Sequence, residues 1–270
     1  MTDPLDTPYA LPPEAIARFR DQGFIRLKDV LPAATIADYG AEITRLTLAL
    51  NTETRPIEER GTYDRAFLQV MNLWRHSAKV QRFVFAPRLA GIAAGLLGVA
   101  GVRLYHDQSL YKEPGGGITP AHADQYYWPF ASDKTVTLWL PLQPVPRDMG
   151  PLAFFAGSHR EAFGRDLAIS DESERAITAQ MEARAFPLDE AAYDLGEASF
   201  HLGWTFHRAG ANRAPAPRSV MTVIYIDRDM QVAPPANTMQ ANDLATWLPG
   251  VRPGEPAASP LNPILYQAAA

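Results

Sequence analysis

The chain contains no cysteine. That removes disulfides, thiolate nucleophiles and zinc–thiolate sites together. A metal, if one is held, must be bound by His, Asp or Glu. Positive charge is also in deficit: 25 Lys and Arg stand against 30 Asp and Glu, a formal net charge of -5. Such a chain lacks the electrostatic footprint of a nucleic-acid binder. Long hydrophobic runs are missing too. The longest uncharged apolar stretch, Leu89 to Val102, holds four glycines. It falls short of the roughly 20 residues that a bilayer span needs, so it reads as core. Met1 to Pro8 carries Asp3 and Asp6 and no apolar segment, so no export signal is expected. A cytoplasmic protein with neither a membrane nor a nucleic-acid partner is the simplest reading.

What is present is a chain of 270 residues, 47% of them hydrophobic, enough to bury a sizeable core. No internal repeat or low-complexity tract interrupts it. The expectation is one domain over residues 1–270, in three parts. Residues 1–100 read as a mostly helical layer. Pro12 and Pro13 open a helix through Gln22, closed at Gly23. Phe24 to Leu27 reads as a short strand. A second helix follows Pro32, with apolar residues at Ile36, Tyr39, Ile43, Leu46 and Leu50, a period near 3.6. The polar stretch Asn51 to Arg60 reads as a loop. Phe67–Trp74 and Pro87–Leu97 read as two more helices, the latter ending at Gly98. Residues 101–230 change character: short runs rich in β-branched and aromatic residues are separated by Gly and Pro. Thr135 to Leu140 alternates with period 2. These runs predict an all-β sandwich or barrel. Arg165 to Arg184 is charged and reads as a lid-like helix. Residues 231–270, rich in proline, are expected to wrap the surface without regular structure.

Chemistry concentrates in two places. In His122-Ala123-Asp124, an extended backbone turns residues i and i+2 to one face, so an imidazole and a carboxylate offer a metal adjacent ligands. A lone His-x-Asp also reads as a solvated turn after Pro120. The second place runs from Phe206-His207 to Arg218, where a connection between two strands returns His207 and Arg218 towards one cavity. His122, Asp124 and His207 then make two imidazoles and one carboxylate, the facial arrangement of non-haem Fe(II) oxygenases. Arg218 lies beyond, with a guanidinium shaped to fork onto a carboxylate.

With these residues the chain resembles the phytanoyl-CoA dioxygenase family of Fe(II)/2-oxoglutarate-dependent oxygenases, in its bacterial branch that tailors secondary metabolites. The resemblance runs from about Phe24 to Leu261-Asn262-Pro263. It includes Asp107-Gln108, Lys112, His122-Ala123-Asp124-Gln125 and Thr135-Val136-Thr137-Leu138-Trp139 leading to Gly150-Pro151-Leu152. Gly157-Ser158-His159-Arg160 follows, then Phe200-His201 to His207 and Gly210-Ala211-Asn212-Arg213 to Arg218. The eleven-residue step from His207 to Arg218 is also the family's. The resemblance implies a mainly β fold with flanking helices around a double-stranded β-helix, a cupin-like jelly roll. It implies Fe(II), 2-oxoglutarate and O₂ as cofactor and cosubstrates. His122, Asp124 and His207 resemble the iron ligands, and Arg218 the residue pairing with the distal carboxylate of 2-oxoglutarate. Trp139 matches a tryptophan lining the cosubstrate pocket; Thr137, Gln108 and Asn72 are further candidates to border it. Halogenating relatives replace the metal carboxylate with a small residue, so Asp124 favours oxygenation.

Other residues have competing readings. His201 is a rival third ligand, but Asn212 and Arg218 follow His207 at family spacing, so His201 is expected in the core or beside the ligands. His106 and His159 are expected to be structural and His76 to lie on the surface. Lys112 is either a surface charge or a cosubstrate neighbour. Tyr126, Tyr127 and Trp128 are either core packing or an aromatic wall for a flat or apolar substrate. Gly115-Gly116-Gly117 lacks the Gly-Lys-Ser/Thr of a phosphate loop and reads as a turn. Ser158-His159 has no nucleophile-elbow sequence around it.

The expected function is oxidation of an unactivated C–H of a small metabolite, by hydroxylation in natural-product or antibiotic biosynthesis. Ring closure, desaturation and epimerisation are alternatives. A cupin-like metal hydrolase or isomerase without 2-oxoglutarate, or a non-catalytic binding protein, would leave Arg218 and Trp139 without a purpose. No sequence feature sets an oligomeric state.

Overall fold

The computed structural model describes residues 3–268. The strands, in chain order, are β1 (Phe24–Leu27), β2 (Leu68–Met71), β3 (Gly101–Lys112), β4 (Thr119–His122), β5 (Thr135–Pro141), β6 (Leu152–Phe155), β7 (Leu188–Asp189), β8 (Ala198–Leu202), β9 (His207–Ala209), β10 (Arg218–Asp227) and β11 (Ile264–Gln267). The helices are α1 (Pro13–Gln22), α2 (Ala33–Leu50), α3 (Thr62–Ala66), α4 (Ala78–Val84), α5 (Pro87–Leu97), α6 (Asp171–Ala183) and α7 (Thr238–Trp247). Two antiparallel sheets result. The larger has the order β1-β8-β5-β10-β3-β11, with β2 also on β3; the smaller runs β4-β9-β6-β7. This is the expected jelly roll with helices outside.

The alternation in β5 explains the layering. Val136, Leu138 and Leu140 point outward and join Phe200, Met221 and Val223 in the cluster that carries α1, α2, α4 and α5. The intervening Thr137 and Trp139 point inward. Inner faces of the two sheets meet through Phe24, Trp139 and Val220 against Leu152, Phe154 and Ala209. Phe24 and Phe154 stack at 4.4 Å between ring centroids. Each fully buried Leu or Phe here contributes roughly 2 kcal/mol. A third cluster, Ala121, Ala123, Phe155 and Phe206 against Ile177 and Met181, seats α6 on the outside of the smaller sheet. Residues 78–97 are by length and composition apolar enough to cross a membrane. Here α4 and α5 lie against the sheet, with Val80, Phe83, Leu89 and Ala90 at 0% exposure.

Helix ends follow local chemistry where the sequence signals them. Gly23 closes α1 at φ 81, a left-handed conformation that costs glycine nothing. Two expectations need correction. Residues 67–74 are not a helix: β2 pairs with β3 from Leu68 opposite Tyr111 to Met71 opposite Gln108. The open edge of β3 offers ladder hydrogen bonds that outweigh a short helical pattern. Residues 1–100 carry α1 to α5, and β1 and β2 tie them into the larger sheet. The tail is not irregular either. Asn237 caps α7 by accepting from Gln240 N at 2.8 Å, and β11 adds to β3.

Asn72 ends β2 with φ 49, and the turn behind it is pinned by Asp107 on β3. Asp107 accepts from Leu73 N at 3.0 Å and is fully buried, and burial pushes its carboxyl up to about 7. Between about pH 4 and 7 the folded chain keeps a proton there that the unfolded chain releases. Asp107 therefore lowers stability as pH rises through that window, by roughly 4 kcal/mol in full. Asp107→Asn keeps the acceptor without the charge. Chemical denaturation should find the variant near wild type at pH 4 and more stable at pH 8. Parallel stability–pH curves would refute this.

Candidate metal centre

His122 ends β4 and His207 opens β9, and the two are direct partners in the antiparallel register. Their ring centroids lie 4.2 Å apart. Asp124 follows in the 3₁₀ turn after β4, and its Oδ1 sits 3.6 Å from Nε2 of both histidines. The three ligand atoms lie within 4.8 Å of one another. The tautomers can be read from the backbone. His122 Nδ1 is 2.7 Å from Pro120 O and His207 Nδ1 is 2.9 Å from Thr205 O. A carbonyl only accepts, so each Nδ1 carries the proton and each Nε2 turns a lone pair to the centre. Burial and the neighbouring His122 push His207 well below its ordinary value, which keeps it neutral. Burial opposes ionisation of Asp124, but the surrounding His207, His122 and His201 hold its carboxyl well below the usual range. Two imidazoles and a carboxylate fit a divalent transition metal with one side left open.

The other oxygen of Asp124 is already committed. Thr137 Oγ1 donates to Oδ2 at 2.9 Å, and His201 Nε2 lies 3.1 Å from it. Thr137 and His201 are register partners on β5 and β8. His201 therefore sits behind the carboxylate, not in the ligand set. Thr137, expected to border the cosubstrate, reaches Asp124 as well. The two histidine strands are tied from outside by Glu174 of α6, which accepts from Ala121 N at 2.7 Å and from Arg208 at 2.6 Å.

A cavity of about 480 Å³ opens from this centre, and Trp139, Gln108, Thr137, Tyr127, Trp128 and Arg218 all line it. Arg218 is 1% exposed, and its guanidinium lies 5.4 Å from the Trp139 ring centroid. It donates to Gly150 O, and its buried Nε has no partner. Gly150 is fixed by the close pass of Gly210, whose carbonyl oxygen a Cβ would meet at 2.1 Å. No acid forms a salt bridge with Arg218 among the described residues. Burial lowers Arg218 to about 10, still a cation at neutral pH. Its register partner Lys112 is 0% exposed, so it is no surface charge. Lys112 Nζ donates to Gly117 O and Gly210 O, and burial with Arg218 nearby lowers it to about 6. The inner end of the cavity thus keeps one uncompensated positive charge, which an organic carboxylate would satisfy.

Two expected residues lie elsewhere. Asn72 does not line the cavity, because its Oδ1 accepts from Trp74 Nε1 at 3.2 Å. Tyr126 also stays outside it, its backbone carbonyl held by Asn237 and Gln240. Sequence reasoning missed several lining residues, among them Tyr63, Gln69, His106, Met239, Asp243 and Trp247. His106, expected to be structural, is one of them. The only available signal was the aromatic and acidic content of residues 238–247, which the surrounding prolines obscured.

Comparisons with known proteins agree with this geometry. A family model described as phytanoyl-CoA dioxygenase matches residues 19–220. The carbocyclase SnoK from nogalamycin biosynthesis, a non-haem alpha-ketoglutarate-dependent enzyme, superposes with a TM-score of 0.78 at 25% identity, over 96% of this chain and 99% of its own. The epimerase SnoN, solved with Fe³⁺, alpha-ketoglutarate and nogalamycin RO, gives 0.76 at 28% identity, over 93% and 97%. A probable alpha-ketoglutarate-dependent hypophosphite dioxygenase of Stutzerimonas stutzeri is 21% identical over 221 residues, 78% of this chain and 77% of that protein.

The hold on Asp124 Oδ2 can be tested directly. Thr137→Val removes one donor and keeps the shape. Calorimetric titration of the apoprotein with Fe(II) or Co(II) should show affinity reduced about tenfold or more. Unchanged affinity with an intact fold would mean that Oδ2 needs no such support.

Proposed function

The chain belongs to the phytanoyl-CoA dioxygenase family, and from that premise we propose that it is a cytoplasmic Fe(II)/2-oxoglutarate-dependent oxygenase. It oxidises an unactivated C–H bond of a small metabolite, by hydroxylation in natural-product biosynthesis. One observation carries the reading. Two imidazoles and a carboxylate converge at one point of a cavity, and a buried, acid-free guanidinium stands at its inner end. A hydrolase using a metal alone has no use for that cation.

His122, Asp124 and His207 would hold the iron, and Arg218 the distal carboxylate of 2-oxoglutarate. Iron and keto acid together supply the oxidising power: O₂ is consumed, 2-oxoglutarate goes to succinate and CO₂, and a C–H bond is oxidised. The chain's own residues do the rest. Thr137 and His201 keep one oxygen of Asp124 occupied, so Oδ1 alone faces the metal position. Trp139 walls the inner end and packs on Tyr193, whose hydroxyl donates to Ser199 at 2.9 Å. This packing backs the space between Arg218 and the ligands with buried side chains. Gln108 accepts from Gln69 above that space, and both line the route to the outer part.

Ring closure and epimerisation are the second reading, favoured by the likeness to the carbocyclase SnoK and the epimerase SnoN. The same ligand set serves each outcome. The difference lies in which substrate carbon the outer wall brings to the metal.

Adding Fe(II) and then 2-oxoglutarate to anaerobic apoprotein should produce the visible charge-transfer band of the chelated keto acid. Arg218→Ala should weaken 2-oxoglutarate binding by about 30-fold or more, because its carboxylate would lose its charged partner. A wild type without the band refutes the oxygenase reading. Unchanged affinity in Arg218→Ala refutes the cosubstrate assignment. Succinate release across a metabolite panel then identifies substrates.

A further inference from the structure

The outer wall of the cavity is built from α7, the middle of β3 and the turn after Asp124. Its surface is mostly aromatic: Trp247, Trp128 and Tyr127 all line it. One acid interrupts this surface. Asp243 of α7 lines the cavity, and its Oδ2 accepts from the buried Tyr105 hydroxyl at 2.8 Å. Tyr105 is fixed edge-on against Trp128 and Phe130, with centroids at 5.9 and 4.7 Å, so it holds the carboxylate in place. No lysine, arginine or histidine forms a salt bridge with Asp243 among the described residues.

The nearest basic group on this wall does not change the balance. His106 lies on the wall beside Trp247, with ring centroids 5.5 Å apart. It is fully buried, and burial pushes it down to about 3, so it is neutral at physiological pH. Its Nδ1 has no partner. Asp243 thus faces an apolar, ring-lined space with a neutral phenol behind it and no positive charge before it. Burial pushes its carboxyl up to about 7. A half-buried acid in such a place gains most from a ligand that brings the missing cation and so favours its ionised form. A hydroxyl brings no charge to do so, and an acid would be repelled.

We propose that Asp243 anchors a protonated amino group of the substrate, and that the substrate is an amine carried on an apolar, ring-containing body. The amine end sits against α7, and the body runs along the aromatic wall towards the metal centre. What then happens to the body rests on the oxygenase reading; the binding of the amine does not.

The test uses three probes of one shape: 2-(2-naphthyl)ethylamine, 2-(2-naphthyl)ethanol and 3-(2-naphthyl)propionate. Full-length protein is loaded with Mn(II) and 2-oxoglutarate without oxygen, so that the ligand set and Arg218 are occupied. Calorimetry should find the amine bound about tenfold or more tightly than the alcohol, with the acid weakest. Asp243→Asn keeps an acceptor for Tyr105. It should bring amine and alcohol to within about twofold, while the 2-oxoglutarate charge-transfer band with Fe(II) stays as in wild type. Tyr105→Phe, which leaves the carboxylate, should retain the amine preference.

Equal binding of amine and alcohol by the wild type overturns the proposal, and that comparison needs no variant. So does an amine preference that survives in Asp243→Asn, or no amine binding at about 1 mM. The two readings fail separately. A missing charge-transfer band with an intact amine preference sinks the oxygenase, and a normal band without the preference sinks the amine anchor.

Discussion

The carboxylate of Asp124 is pulled from two sides, and the geometry of the centre depends on it. One oxygen faces the Nε2 atoms of His122 and His207; the other is gripped by Thr137 and His201. The first pair belongs to the smaller sheet and the second to the larger. Asp124 is therefore a link between the two layers of the jelly roll as well as a ligand. Its position holds only if both sheets keep their registers, His122 opposite His207 and Thr137 opposite His201. A slip of one residue in either pair would turn the side chain to the opposite face and break the link. Packing of Phe24 on Phe154 between the sheets opposes such a slip.

The same cavity distributes buried charge along its length. At the inner end Lys112 and Arg218 are neighbours, and two full cations there would repel each other in a poorly solvated space. Lys112 yields, its amine lowered to about 6 and turned onto backbone carbonyls, while Arg218 keeps its charge. In the middle, the negative charge of Asp124 is matched by hydrogen bonds and by imidazole nitrogens aimed at a cation. At the outer end burial raises the Asp243 carboxyl to about 7, and no cation faces it among the described residues. The lining thus runs from a guanidinium through the metal ligands to an acid that an incoming cation would ionise. A chelating dicarboxylate and a cationic substrate would each find the opposite charge at its own end, and neither would be drawn to the other's place.

Much of the inner end was legible in the sequence, and the reason is geometric. Extended residues two apart share a face, which relates Asp124 to His122 across the extended Ala123 and Trp139 to Thr137 on β5, while the pocket role expected of Thr137 and Trp139 came from the family resemblance alone. Gly23 and Gly98 mark their helix ends because left-handed backbone selects glycine. The outer wall was not legible. Its residues come from β3, the turn at 124–128 and α7, and none of them is spaced as a motif. Asn237 caps α7, but Pro234, Pro235 and Pro249 made the segment read as irregular. Residues 67–74 failed differently. Their pattern suits a helix locally, and the open edge of β3, which no local pattern contains, decides for a strand. Asn72 fell outside the cavity for the same reason, since the turn ending that strand directs it to Trp74 and Asp107.

The two ends of the cavity are also held with different firmness. Residues of the inner end project from strands paired on both sides, and their backbones cannot move without breaking ladders. Asp243 and Trp247 project from α7, a helix with no fully buried residue. It is seated by the partly buried Leu244 and Trp247 against the cluster around Ile224 and Leu248. Replacing a side chain on its cavity face removes little packing, so the fold tolerates change there far better than at Trp139 or Arg218. The proposed metal ligands are thereby held by the sheets, while the proposed amine anchor stands on a helix that contributes little to the core. Changes on the cavity face of such a helix would alter what meets the ligand set without touching the ligands themselves.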